Sequence, residues 1–218
     1  MKSLRSLISQ KYDPFTFESK FNDLLSMLES NRFSHFPVVE NDVYLGSIAT
    51  IDVIPSKTKT VSDYRYALLP YFVREDADWF EVLEKFAQFD CNVLAVLNEK
   101  NQYLGYYFYD DVVPLLNRTP FLRETGLSIV VEKQYMDYSM SEIAQIIETN
   151  NSKLLGIFVS SMENDKAQIT IKASSGNINE IIQTFRRFGY EVVSEHNEDT
   201  YLTELKNRSV YLDKYLNI

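Results

Sequence analysis

The sequence predicts an α+β chain: a pseudo-symmetric pair of α/β repeats, then a domain of order βαββαβ, then a helical tail. Three observations carry that expectation. The phrase YLGSIATIDV at 44–53 returns as YLGYYFYDDV at 103–112. The same helix and strand periodicities precede both copies. After Asn117-Arg118-Thr119-Pro120 the rhythm changes to strands and helices of a different order.

The first copy opens with a helix. Phe21, Leu24, Leu25 and Leu28 fall at i, i+3, i+4 and i+7, which makes one apolar stripe. Ser19 is placed to cap it. FPVVEN (36–41) is a short apolar run rich in β-branched residues and reads as a buried strand. Asn41-Asp42 is the hairpin turn, and VYLGSIAT is the returning strand. The second copy repeats each step. Trp79, Val82, Leu83 and Phe86 make the stripe, Asp78 the cap, LAVLNEK (94–100) the strand and turn, and QYLGYYFY the return. A short helix and a proline follow each copy, at Pro55 and Pro114. The offset is 58 residues before the hairpin turn and 59 after it. Neither unit buries its apolar faces alone, so the two are expected side by side. Gly46 and Gly105 are expected to permit a bulge or a close backbone approach. Asp52 and Asp111 follow a strand at the start of a short helix. Each either caps that helix or presents a carboxylate at the mouth of the cleft between the copies.

The expected boundaries are 1–118 for the pair, with repeats of about 1–57 and 58–118, then 121–196 for the second domain and 197–218 for the tail. In the second domain LSIVVEK (127–133) reads as a strand. SMSEIAQIIETN (139–150) reads as a helix with Met140, Ile143, Ala144 and Ile147 on one face. LLGIFVSSM and AQITIKAS are strands about a polar turn at Glu163–Lys166. NINEIIQTFRRFGY is a helix with Ile178, Ile181, Ile182 and Phe185 on one side and Gly189 beyond its end. EVVSEH is the last strand. That order is the ferredoxin-like split βαβ plan. In the tail, Leu202, Leu205, Leu212 and Leu216 mark a helix.

Composition bounds the function. Net charge is −9, whereas a phosphate-backbone binder needs a basic face, so no nucleic-acid partner is expected. No apolar run approaches the roughly 18–20 residues that span a bilayer, so no membrane partner is expected either. The N-terminus has no apolar signal region, and the cytoplasm is the expected location. One cysteine, Cys91, leaves no disulfide framework and no multi-cysteine metal site. His35 and His196 fall in different expected domains, and no Gly-rich phosphate loop, HExxH or GxSxG occurs. The chain is therefore expected not to be an enzyme and to carry no resident cofactor.

The order helix–FPVV–turn–YLG–x5–DV, written twice, resembles a tandem pair of CBS (cystathionine beta-synthase) domains over about residues 1–118. The resemblance implies an adenine nucleotide or nucleoside, such as AMP, ADP or ATP, in the cleft between repeats. It also implies that the later aspartate, Asp52 or Asp111, holds the ribose hydroxyls. The family's threonine, three residues after the glycine, falls on Ala49 and Phe108. Thr50 stands one place too late, on the other face of an alternating strand, but a helix start there relaxes the alternation and keeps Thr50 among the candidate ligand contacts. Phe108 either fills the cleft or stacks on a base. Pro37 is matched by Ala95, so the first site is nearer the family pattern, with Asp52 as its leading residue. Ser34 and His35 are placed to line that site, and Lys57 and Lys59 to meet a phosphate. In the second domain YSMSEIAQII (138–147) resembles the first loop and helix of ACT domains, with Tyr138 where that family has a glycine. The whole layout is similar to the acetoin utilisation protein family. It implies a regulatory module, a homodimer and an unidentified protein effector. The rival expectation is an oligomerisation scaffold whose ligand sites have decayed.

Overall fold

The computed structural model describes residues 4–49 and 60–194. Thr50, Asp52, Lys57, Lys59, His196 and the tail lie outside them. The chain divides into two compact units, Met1–Arg118 and Thr119–Ile218. Among the described residues no helix is long and apolar enough to cross a membrane.

The first unit holds both copies of the repeat. Helix α1 spans Phe21–Asn31, and the hairpin β1–β2 spans His35–Glu40 and Val43–Ala49. The side chains of its stripe, Phe21, Leu24, Leu25 and Leu28, lie outside the described set. In the second copy β3 is Phe72–Arg74, α2 Trp79–Phe89, β4 Val93–Leu97, β5 Tyr103–Phe108 and α3 Tyr109–Leu116. Asp78 caps α2 by accepting from the amides of Phe80 and Glu81. The Ser19 hydroxyl accepts the Thr16 amide in the turn before α1, at 3.0 Å. Asn41 and Asp42 both have positive φ, 49° and 64°, which suits a two-residue turn in a twisted hairpin.

The repeat symmetry reaches single bonds. Phe15 lies parallel to Val38, and 58 residues later Val73 lies parallel to Val96. These edge segments escape periodicity analysis because they are only one to three residues long. The ladder slips by a residue between Val38 and Val39, and again between Val96 and Leu97. At the hairpin tips the copies pair with each other, Tyr103 N–H to Asp42 O (2.9 Å) and Tyr44 N–H to Asn101 O (3.3 Å).

Each copy also sends its leading segment to the other. Ser9 pairs with Tyr106 through bonds of 2.8 and 3.0 Å, and Leu69 pairs with Ser47 through 2.9 and 2.7 Å. Leu4, Leu7 and Ile8 pack on the core of the second copy, built on Val82, Phe86, Leu94, Val96, Tyr107 and Val112. Val61, Tyr64 and Leu68 pack on the core of the first, with Phe33, Phe36, Val38 and Ile48. Here the repeated glycine finds its reason. A Cβ on Gly46 would lie 2.8 Å from Leu68 Cβ; one on Gly105 would lie 2.6 Å from Ser9 O. Both have φ that side chains avoid, +151° and +140°. The glycines admit the crossing segments.

The second unit begins with the short helix α4, Pro120–Arg123. Then follow β6 (Leu127–Gln134), α5 (Met140–Thr149), β7 (Leu154–Glu163), β8 (Lys166–Ala173), α6 (Ile178–Arg187) and β9 (Glu191–Val192). The strands form one antiparallel sheet in the order β7-β8-β6-β9. Its helix-side core has Ile129, Val131, Ile143, Ile147, Ile169, Ile171, Ile181 and Phe185 fully buried. Each such side chain contributes about 1.5–3 kcal/mol. On α5 the buried partner of Ile143 and Ile147 is Ile146, where Ala144 was expected. Ile146 belongs to the same buried cluster, on which Leu154 and Ile157 of β7 also pack.

Candidate functional site

A cavity of about 370 Å³ opens beside Asp111 in the first unit. Three separate segments wall it. Ser9, Lys11 and Tyr12 come from the N-terminal leader, Asn31 from the end of α1, Phe33 from the loop that follows it, and Tyr106, Phe108 and Asp111 from β5 and α3. The volume falls within the range of small-molecule sites, about 300–1,000 Å³.

The rings form one connected wall. Phe33 meets Tyr12, Tyr106 and Phe108 edge-on at 5.6, 6.1 and 5.5 Å between centroids. Phe108 packs on the core without closing the cavity. The polar groups sit around that wall. Tyr12 donates its hydroxyl to Asn31 Oδ1 at 2.5 Å, and Asn31 Nδ2 donates to Met27 O at 2.9 Å, so this corner is held in place. Lys11 reaches back over the Tyr12 ring, its Nζ 5.0 Å from the centroid. Asp111 is the third residue of α3, whose cap position is Phe108. It is therefore a first-turn acid favoured by the helix dipole, not a cap. Burial raises the pKa of the Tyr106 hydroxyl; Ser9 and Lys11 draw it down and Asp111 pushes it up. The fields of both charged residues thus meet at one hydroxyl.

Ser34 and His35 do not line this cavity. Ser34 and Asn92, 58 residues apart, occupy the same place in the two copies and hold each other. Ser34 N–H and Oγ–H donate to Asn92 Oδ1 (2.8 and 3.0 Å), and Asn92 N–H donates to Ser34 Oγ (2.9 Å). The Asn92 amide also donates to Arg32 O at 2.7 Å. Ser34 thus serves as a clasp between repeats. His35 Nδ1 lies 2.9 Å from Ser34 Oγ, and its ring rests 5.0 Å from that of Tyr71. Tyr71 in turn stacks on Phe89 at 4.4 Å. Cys91 is buried; burial and the charge of Asp90 push its thiol up to about 12, which leaves it unreactive as a nucleophile.

Of the residues that line this cavity, sequence reasoning singled out Asp111 and Phe108 but not Lys11, Tyr12, Asn31 and Phe33. Their shared wall comes from the leader crossing between copies, and no local pattern announces a crossing. The one available signal was the mixture of cation and aromatic in QKYDPF (10–15), ahead of the first stripe.

No protein-family model matches the chain, and no curated protein does. Solved structures do. A CBS domain pair/ACT domain protein from Thermotoga maritima is 16% identical, over 52% of this chain and 94% of that one, with a TM-score of 0.46. The CBS domains of a transcriptional regulator from Streptococcus pneumoniae are 19% identical, over 51% and 97%, with a TM-score of 0.45. CBSX2, solved in complex with AMP, is 17% identical, over 52% and 95%, with a TM-score of 0.43. Each of these neighbours is a CBS-domain protein.

Proposed function

We propose that this chain is a non-enzymatic regulatory module. Its first unit is a CBS pair that binds an adenine nucleotide or nucleoside between the repeats. Its second unit is a ferredoxin-like, ACT-like domain that passes the bound state to a protein effector, in a cytoplasmic homodimer laid out like the acetoin utilisation family. One observation carries the reading. The cleft at Asp111 offers a carboxylate for ribose hydroxyls, a lysine for phosphate and an aromatic wall for a base. Asp52 is the counterpart of Asp111 in the first repeat, and it belongs to the same proposal with Thr50, Ser34 and His35.

The mechanism follows from the three walls. A ligand there touches the leader, the first copy and the second copy at once. It favours whichever arrangement brings them together, and that differential affinity is what regulation requires. The second reading, a scaffold with decayed sites, draws on Phe108, which replaces a hydroxyl donor with a ring.

A thermal-shift panel of AMP, ADP, ATP, adenosine, S-adenosylmethionine and amino acids tests the proposal. At about 100 times the dissociation constant, a binding compound stabilises by about 2.7 kcal/mol. Asp111→Ala and Asp52→Ala then apportion the effect between the clefts. No shift with any compound at millimolar concentration would leave the scaffold standing.

A further inference from the structure

The charges of the Asp111 cleft say more about its ligand than that it is a nucleotide. Lys11 is the one cation among its described lining residues, and Asp111 is the one anion. The described ion pairs include neither, so they face the same space unpaired with each other. The remaining polar groups, on Ser9, Tyr12, Asn31 and Tyr106, are neutral. Arg32 stands between two lining residues but is not part of the wall.

From this arrangement we infer that the Asp111 cleft admits a nucleoside or nucleoside monophosphate and rejects di- and triphosphates, with Lys11 as the residue that sets the limit. The inference rests on the nucleotide reading above. One exposed ammonium neutralises one phosphate and gains up to about fivefold in affinity. A second or third phosphate finds no cation among the described lining residues. It sits within a Debye length, about 8–10 Å, of the Asp111 carboxylate on a chain of net charge −9. Each unpaired charge so placed costs about three- to tenfold. The ring of Phe108 supplies no donor to offset that cost. Monophosphate therefore binds more tightly than nucleoside by up to about fivefold, and the longer phosphate chains bind progressively more weakly.

The test titrates adenosine, AMP, ADP and ATP into 15N-labelled full-length protein in magnesium-free buffer. Dissociation constants are read from the amides of Tyr12, Phe33 and Phe108, so only this cleft is scored. Expected are AMP and adenosine within about fivefold of each other, and ATP at least about tenfold weaker than AMP. Lys11→Gln should bring AMP down to adenosine. ATP binding as tightly as AMP, or an AMP affinity untouched by Lys11→Gln, overturns the inference while leaving the nucleotide reading in place. If none of the four moves these amides, the nucleotide reading of this cleft falls, and the inference with it.

Discussion

Replacing Gly105 by alanine should unseat the N-terminal leader. The new Cβ would stand 2.6 Å from Ser9 O and 2.7 Å from Ile8 Cγ2, and the first of these is backbone that cannot rotate away. A φ of +140° costs a side chain about 1–3 kcal/mol by itself. Relieving the clash by lifting the leader breaks both Ser9–Tyr106 bonds, at about 1 kcal/mol each. The total is about 3–5 kcal/mol. Trp79 is the only tryptophan and lies in the first unit, so its fluorescence reports the unit concerned. With a urea m-value of about 1.5 kcal/mol/M, the midpoint should fall by about 2–3 M. Gly46→Ala should behave similarly, because Leu68 Cβ would lie at 2.8 Å. A loss below about 0.5 kcal/mol at Gly105 would refute the claim that the glycine exists for the crossing strand.

Other expectations follow from the same geometry. In a double-mutant cycle, Ser34→Ala and Asn92→Ala should couple by about 1–2 kcal/mol, whereas additive losses would show that the clasp does not join the repeats. Tyr44 and Tyr103 hold equivalent places but unequal bonds. The Tyr44 hydroxyl lies 2.9 Å from Ser47 Oγ and 3.1 Å from Tyr71 O; that of Tyr103 is buried with no partner among the described residues. By urea unfolding, Tyr44→Phe should cost about 1–2 kcal/mol and Tyr103→Phe should be neutral or stabilising. In the second unit, the hydrogen bond from Lys166 (2.5 Å) is the largest of the effects that hold the Glu132 carboxyl below its ordinary range. A depressed carboxylate stabilises above its unfolded pKa and stops doing so as the pH falls through the folded value. Thermal melts from pH 6 to pH 3 should lose stability on the acid side, and Lys166→Ala should flatten that slope; an unchanged slope would exclude the pair as its cause.

The sequence made the repeat legible because duplication copies whole phrases. The glycine, the hairpin turns, the α2 cap at Asp78 and the sheet order of the second unit all leave local marks. What stayed hidden was long-range. Ser34 and Asn92 look like ordinary polar residues until the copies face each other. Ser9, Lys11 and Tyr12 gain meaning only because their segment crosses to the second copy. Phe108 posed a choice between filling the cleft and stacking on a base, and local pattern could not say whether the cleft stays open. The decision depends on Phe33 and Tyr12, which reach it from other segments. Asp52 and Thr50, the leading expectations for the first site, lie outside the described residues.

The central claim is that an adenine nucleotide seats between the leader and the two repeats. Its most direct test is a crystal structure of the protein grown with AMP. The account predicts density between Tyr12 and Phe108, with the ribose hydroxyls donating to Asp111 and the phosphate toward Lys11. Crystals in which AMP lies away from that cleft, or in which saturating AMP leaves it without density, would contradict the account.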